Sequence, residues 1–277
     1  MGGRSGGRAV AIALVSTAVF FAVLVVAVVS SPGWPEVKEA FFNREIFRES
    51  FPDIASAFLT NVKIFCIAEA VILFTALGLA VVRGLPGPVF FPLRLLAIVY
   101  SDVFRGIPTI LLIYVLGFGI PALGLAYVSE PELLWGVPAE MVWGTVALIL
   151  VYTAYVSEVY RAGIESVHPS QNAAARSLGL SHGQSLRYVV VPQAVRRVIP
   201  PLLNDFIGLQ KDTALVALIG VVEAFRTSQI ESSATFNFTP YLATALMFLL
   251  ITIPLTRLTD YLIERDRRRR QTGAIAI

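Results

Sequence analysis

Residues 9–30 run for a full membrane thickness without one charged side chain. A stretch of 18 or more apolar residues at 1.5 Å rise is long enough to cross a bilayer, whose hydrocarbon core needs about 20 such residues. Five further apolar blocks follow, at about 54–82, 89–120, 141–163, 199–222 and 240–263. Charged residues make up 15% of the chain and hydrophobic ones 56%, against about 25% charged in ordinary soluble domains. A soluble enzyme and a disordered chain are both excluded by that balance. No period-2 segments suggest a barrel, so the expected fold is an all-α integral membrane protein with six spans.

Lysine and arginine set the orientation. With the N-terminus inside, the inner segments hold Arg4, Arg8, Arg83, Arg161, Arg176, Arg187, Arg196, Arg197, Arg257, Arg265 and residues 267–270. The outer segments hold Lys38, Arg44, Arg48 and Arg226. The bias is strong and places both termini in the cytoplasm. The outer loops are correspondingly acidic, with Glu36, Glu39, Glu45, Glu49, Asp53, Glu130, Glu132 and Glu140. Residues 1–30 read as an uncleaved anchor, because the apolar run exceeds the 7–15 residues of a signal peptide. Residues 31–53 then lie outside. Val37, Phe41, Phe47 and Phe51 line one face of a surface helix, or the segment is a plain connecting loop. No internal repeat stands out.

The fourth and fifth blocks are joined by 164–198, far longer than a helix hairpin needs. Residues 170–180 are a run of helix formers that Gly179 stops. Ser181 and Gln184 have the spacing of a capping box that opens a second helix. Pro192, Pro200 and Pro201 limit how far helix can continue beyond it. The segment should fold as two short helices around a turn. It either covers the membrane face or docks a partner, whose surface the small side chains would let approach.

The segment resembles the coupling loop of ATP-binding-cassette importer permeases. The carrying residues are Ala173, Ala174, Ala175, Gly179 and Pro192, with Leu178 and Leu180 flanking the glycine; Ala173 stands where the family has glutamate. Residues 104–108 resemble the Phe-Arg-Gly-Thr-Pro motif of the polar amino-acid branch. Residues 154–164 resemble its Ala-Tyr-x-x-Glu-x-x-Arg-Gly-Gly-Ile motif, and 209–215 its Leu-Lys-Asp-Thr-Ser-Leu stretch. The four matches fall in order within 54–263. The resemblance implies a five-span permease domain over 54–263, with its coupling loop at 164–198. The helix in 1–30 is an addition, 31–53 an external segment and 264–277 a basic tail.

Charges within the spans need reasons, since insertion costs at least about 2.5–3.5 kcal/mol each. Lys63 can snorkel outward. Glu69 is either an interhelical hydrogen-bonding or protonated carboxyl, or a polar point on a translocation path. Asp102 and Arg105 are spaced for an ion pair within one helix. The block 89–120 is about 48 Å long at helical rise, too long for one straight crossing. Gly106 and Pro108 supply a break, placing 105–108 beside the pathway, toward its outer half. Glu158 is expected to meet a substrate ammonium or to pair with Arg161. Lys211 and Asp212 point about 100° apart on a helix, so each needs a partner on another element. They and Thr213 read as packing polar groups within the bundle or across a dimer interface, with substrate contact by Lys211 and Asp212 as the alternative.

No glycine-rich phosphate loop is present, so no ATP hydrolysis and no cofactor are expected on this chain; the resemblance implies ATP and magnesium on a separate ATPase subunit. With one cysteine, Cys66, and two histidines, His168 and His182, both in the cytoplasmic loop, neither a metal site nor a membrane-embedded enzyme is expected. The resemblance implies a permease subunit of an amino-acid importer in a bacterial inner membrane. Its implied partners are two ATPases, a second permease copy or relative and an extracytoplasmic binding protein. A homo-oligomeric secondary transporter or channel, and a same-family permease for another solute, are the competing readings.

Overall fold

The computed structural model of the chain describes residues 3–125, 128, 132–133 and 136–275. Glu130 lies outside them, as do the side chains of Arg4, Glu132, His182, Arg267, Arg269 and Arg270. Helices dominate. Four are long and apolar enough to cross a membrane, and a bent pair makes up to five. Helix α1 (Gly3–Val29) carries the charge-free run, and none of its apolar window is buried by the rest of the chain.

Helix α2 (Trp34–Phe41) and the start of α3 (Arg44–Arg83) occupy the segment expected outside. The expected boundary at residue 54 is not a break, because α3 runs unbroken from Arg44. Asn43 caps it, its side-chain oxygen accepting from the Glu45 and Ile46 amides at 3.0 and 3.1 Å. Phe41 stacks on Phe238 at 5.1 Å, and Phe47 stacks on Phe51 at 5.3 Å. The apolar face of this segment thus packs on the protein, with Phe47 and Phe51 against a core cluster of Ile54, Phe58, Ala224 and Ala243.

Helix α3 buries one stripe, from Ile54 through Phe58, Asn61, Ile64, Ala68, Ile72 and Ala76 to Ala80. Spacings of three and four keep these on one face. The alanines in its second half let α7 (Ala139–Glu165) approach closely. Helix α7 is the central element, buried on several sides against α3, α4 and α10. The main core gathers Ile64, Ile72, Leu148, Val151, Leu209 and Val216.

Helices α4 (Phe91–Gly106) and α5 (Thr109–Tyr114) meet at a bend of 103°. The break falls where Gly106 and Pro108 led us to expect it. The chain continues through a π turn (Val115–Gly119) and α6 (Ile120–Ala122) to a two-residue hairpin of β1 (Glu132–Leu133) and β2 (Val137–Pro138).

After α7 come α8 (Pro169–Ser177) and α9 (His182–Ser185), then a π turn (Leu186–Val190) and α10 (Val191–Asp212). The prolines do not end this helix. Pro192 sits in its first turn, where no amide hydrogen is needed, and Pro200 and Pro201 lie inside it. The expected span at 199–222 is the second half of α10 followed by a 3-10 turn (Thr213–Ile219), which Gly220 closes at φ 99°. With Arg196, Arg197, Asp205, Lys211 and Asp212 on it, α10 is not among the helices apolar enough to cross by composition. Helices α11 (Ala224–Thr235) and α12 (Thr239–Ile275) complete the fold.

Candidate functional site

Glu158 lies on α7 with its side chain 16% exposed, and three arginines converge on it. Oε1 takes an ion pair from Arg83, the last residue of α3. Oε2 accepts from Arg161 Nη2 at 2.8 Å and Nε at 3.0 Å, a forked contact. Arg105 Nη1 stands 3.8 Å from Oε1. The outer partners are fixed in turn: Arg83 donates to Ser101 Oγ at 3.3 Å, and Arg161 to Glu165 at 2.5 Å. The helix-packing pair between Glu158 and Arg161 is formed.

The pair expected within α4 between Asp102 and Arg105 is not. Arg105 turns away from its own helix to Glu158, and its guanidinium lies 5.8 Å above the Tyr155 ring. The Tyr155 hydroxyl donates to the Arg105 carbonyl at 3.4 Å. Burial explains the choice: a carboxylate withdrawn from solvent offers a stronger field than exposed Asp102. The contact also corrects the placement of 105–108 toward the outer half. Arg105 stands level with Glu158 and with Arg83 at the end of α3, and Pro108 follows, exposed, at the break.

A second polar group sits between α3, α7 and α10. Glu69 on α3 and Asp205 on α10 are both half-buried. Among the described residues Glu69 shows no hydrogen bond, and Asp205 Oδ2 is buried without a hydrogen-bond partner. Asp212 accepts from the Tyr152 hydroxyl on α7 at 3.0 Å. It thus finds its partner on another helix, as its geometry requires. Lys211 is exposed. Thr213 is fully buried, donating to the Gln210 carbonyl at 2.8 Å and accepting from Asn61 at 3.1 Å.

Sequence reasoning missed the hub next to Thr213. Glu223, fully buried, caps α11 by accepting from the Phe225 and Arg226 amides at 2.9 and 2.8 Å. Asn61 on α3 donates to the same carboxylate at 2.7 Å and accepts from the Ala224 amide at 3.1 Å. The available signal was an asparagine inside an apolar block and a glutamate at the end of another.

The hairpin after α7 is rigidly built. His168 caps α8, accepting from the Ser170 amide at 3.2 Å. At the other end the Leu180 amide reaches the Ala175 carbonyl at 3.2 Å and the Gly179 amide the Arg176 carbonyl at 3.0 Å. Those two bonds with Gly179 at φ 86° make a Schellman motif. The capping box is present: Gln184 accepts from the Ser181 amide at 2.8 Å, and Ser181 Oγ from the Gln184 amide at 3.3 Å. Ser185 donates to Asn172 at 2.7 Å, locking α9 onto α8. Ala175 is buried, whereas Ala173, Ala174 and Pro192 are exposed and Leu180 is half-buried. Leu178 is 85% exposed at the tip. Arg197 on α10 bonds the Ser166 carbonyl at the end of α7, so the two helices that the hairpin joins are tied to each other at its base.

A membrane bundle with a broken helix, and a rigid helical hairpin between two of its long helices, defines a multi-pass transport component. The chain belongs to the family of binding-protein-dependent transport system inner membrane components, whose family model matches residues 88–268. It is 35% identical over 179 residues to the probable glutamine ABC transporter permease protein GlnM of Bacillus subtilis (strain 168), covering 64% of this chain and 77% of that one. It is 33% identical over 225 residues to the probable amino-acid permease protein YxeN of the same organism, covering 80% and 94%. A solved amino acid ABC transporter aligns at 31% identity with a TM-score of 0.67, over 77% of this chain and 94% of that one. The MetNI methionine ABC transporter shares the fold at 15% identity and a TM-score of 0.59, over 76% and 95%. The resemblance carried by the sequence motifs is borne out.

Proposed function

We propose that this chain is the permease subunit of an ATP-driven amino-acid importer in a bacterial inner membrane, with both termini cytoplasmic. The amino-acid names of its relatives and the spacing of its own motifs support the solute class. ATP and magnesium bind cytoplasmic ATPases, a second permease completes the pathway, and an extracytoplasmic protein delivers the solute. Within 54–263, the residues around Glu158, Glu69, Arg105 and Pro108 face that pathway. The loop 164–198 is the lever, and Ala173, Ala174, Leu178, Gly179 and Pro192 meet the ATPase.

The observation that carries this reading is the hairpin. Leu178 stands 85% exposed at the tip of a doubly capped loop, where a docking partner can reach it. Joined to α7 and α10, the hairpin passes a push at its tip to both helices. A bundle with two packings then switches access between the two faces of the membrane. Reconstitution into proteoliposomes with the ATPase and binding protein tests it. ATP-dependent accumulation of an amino acid, lost when the ATPase is omitted, is the expected result. Accumulation driven by this chain without an ATPase would instead establish a secondary transporter.

A further inference from the structure

The charge balance around Glu158 goes beyond the importer reading and rests on it. Both oxygens of Glu158 are occupied, Oε1 by Arg83 and Oε2 by the fork of Arg161. A solute ammonium arriving there would have to displace a guanidinium and leave it unpaired, with Arg83 only 15% exposed. Glu158 is therefore a poor ammonium acceptor. Arg83 and Arg161 are equally committed, to Ser101 and Glu165 respectively.

Arg105 is different. Its one ion-pair contact is the longest of the three, at 3.8 Å, and its side chain is 43% exposed. A guanidinium carries five N–H donors, so most of those on Arg105 are open. Tyr155 holds it by ring and hydroxyl, at the edge of the break between α4 and α5. Three arginines face two carboxylates, Glu158 and Glu165, so the ion-paired cluster by itself carries one positive charge in excess. Asp102, one turn back on α4, forms no ion pair with Arg105 that would offset it. A planar fork of this kind matches a carboxylate bidentately.

We propose that Arg105 reads the carboxylate of the transported amino acid, with Glu158 as its positioning residue, and that the excess charge selects acidic and amide amino acids over cationic ones.

The test uses the complex of permease and ATPase in nanodiscs without the delivering protein, so that selectivity belongs to the membrane part. Equilibrium binding is measured with glutamate, glutamine, arginine and agmatine, the decarboxylated form of arginine. Glutamate and glutamine should bind at least about tenfold more tightly than arginine, the worth of one charge-assisted bond, and agmatine least of all. These comparisons need no variant. R105Q, checked for an unchanged elution volume, should lose about tenfold in glutamate binding, and R105K should recover part of it. Arginine bound as tightly as glutamate, agmatine bound as tightly as arginine, or R105Q unchanged would overturn the proposal. So would absence of glutamate and glutamine binding in a complex that still drives uptake. If no amino acid is taken up with ATP by the complete wild-type system, the importer reading falls, and this inference with it.

Discussion

Arg83 closes α3 by placing its guanidinium on Glu158 of α7, about two turns before that helix ends, so one carboxylate pins the end of α3 to α7. Neither side chain is more than 16% exposed. Removing one member of such a pair leaves the other charge without compensation. E158Q should therefore cost more than a surface pair would, about 2 kcal/mol after allowing for the partial exposure. Melting of the purified protein in detergent should fall by several degrees. Because Arg83, Arg105 and Arg161 all lose the same negative charge at once, E158Q and R83Q should be strongly non-additive in a double-mutant cycle. Additive effects would mean that the two residues act independently.

The hairpin makes a separate prediction, because its tip contributes little to the fold. Leu178 is 85% exposed, and nothing lies within 4 Å of a Cβ placed on Gly179. L178D should leave expression and melting within about 0.5 kcal/mol of wild type while abolishing ATP-dependent uptake. G179A should cost about 1 kcal/mol, through its left-handed φ of 86° alone. G179W should insert normally and uncouple ATP hydrolysis from uptake. Normal uptake by L178D and G179W together would remove the hairpin from the coupling path.

How far the sequence alone reaches is visible at these residues. The hairpin was legible because its signals are local: the capping box at Ser181 and Gln184, and the stop at Gly179, act over three or four residues. The break at Gly106 and Pro108 was legible for the same reason. The cluster at Glu158 was half legible. Arg161 is its neighbour on one helix, but Arg83 lies 75 residues away and Arg105 on a different helix again, and nothing local announces either. The pairing of Asp102 with Arg105 failed because an intrahelical spacing states what is possible, and a better-buried acceptor on α7 won. The passage of α10 through Pro200 and Pro201 was hidden too. Propensity argues against it, and tertiary packing decides it.

The hub at Asn61 should be among the most sensitive positions in the chain. Its amide group bonds Glu223, Thr213 and the Ala224 amide at once, and Asn61 is 2% exposed. N61L has a similar shape but strands three polar groups, which should cost about 3 kcal/mol or more. E223Q keeps an acceptor for one of the two α11 amides, which Glu223 serves with separate oxygens, and should cost less, about 1–2 kcal/mol. Thermal melting, with proteolysis near α11 as a local readout, separates the two. Equal losses would show that the charge of Glu223, rather than its hydrogen bonds, holds α11.

Close packing of α7 on α10 gives the last prediction. Gly163 has no side chain, and a Cβ built there would run into Cγ2 of Val198. Both residues are buried, next to the Ser166 to Arg197 bond that ties the hairpin's two ends. G163A should therefore push α10 outward and cost about 1–3 kcal/mol, the usual penalty of overpacking. V198A removes the obstructing methyl group. On its own it should be mildly destabilising, by about 1 kcal/mol. Combined with G163A it should recover much of the lost stability, because the added methyl group takes up part of the space that the two valine methyl groups leave across the same contact. Uptake should show the same pattern, falling in G163A and returning in the double variant, since the joint that carries motion from the hairpin into the bundle is restored with the packing. Failure of V198A to rescue either property would place the cost of G163A in the helix backbone rather than in this contact.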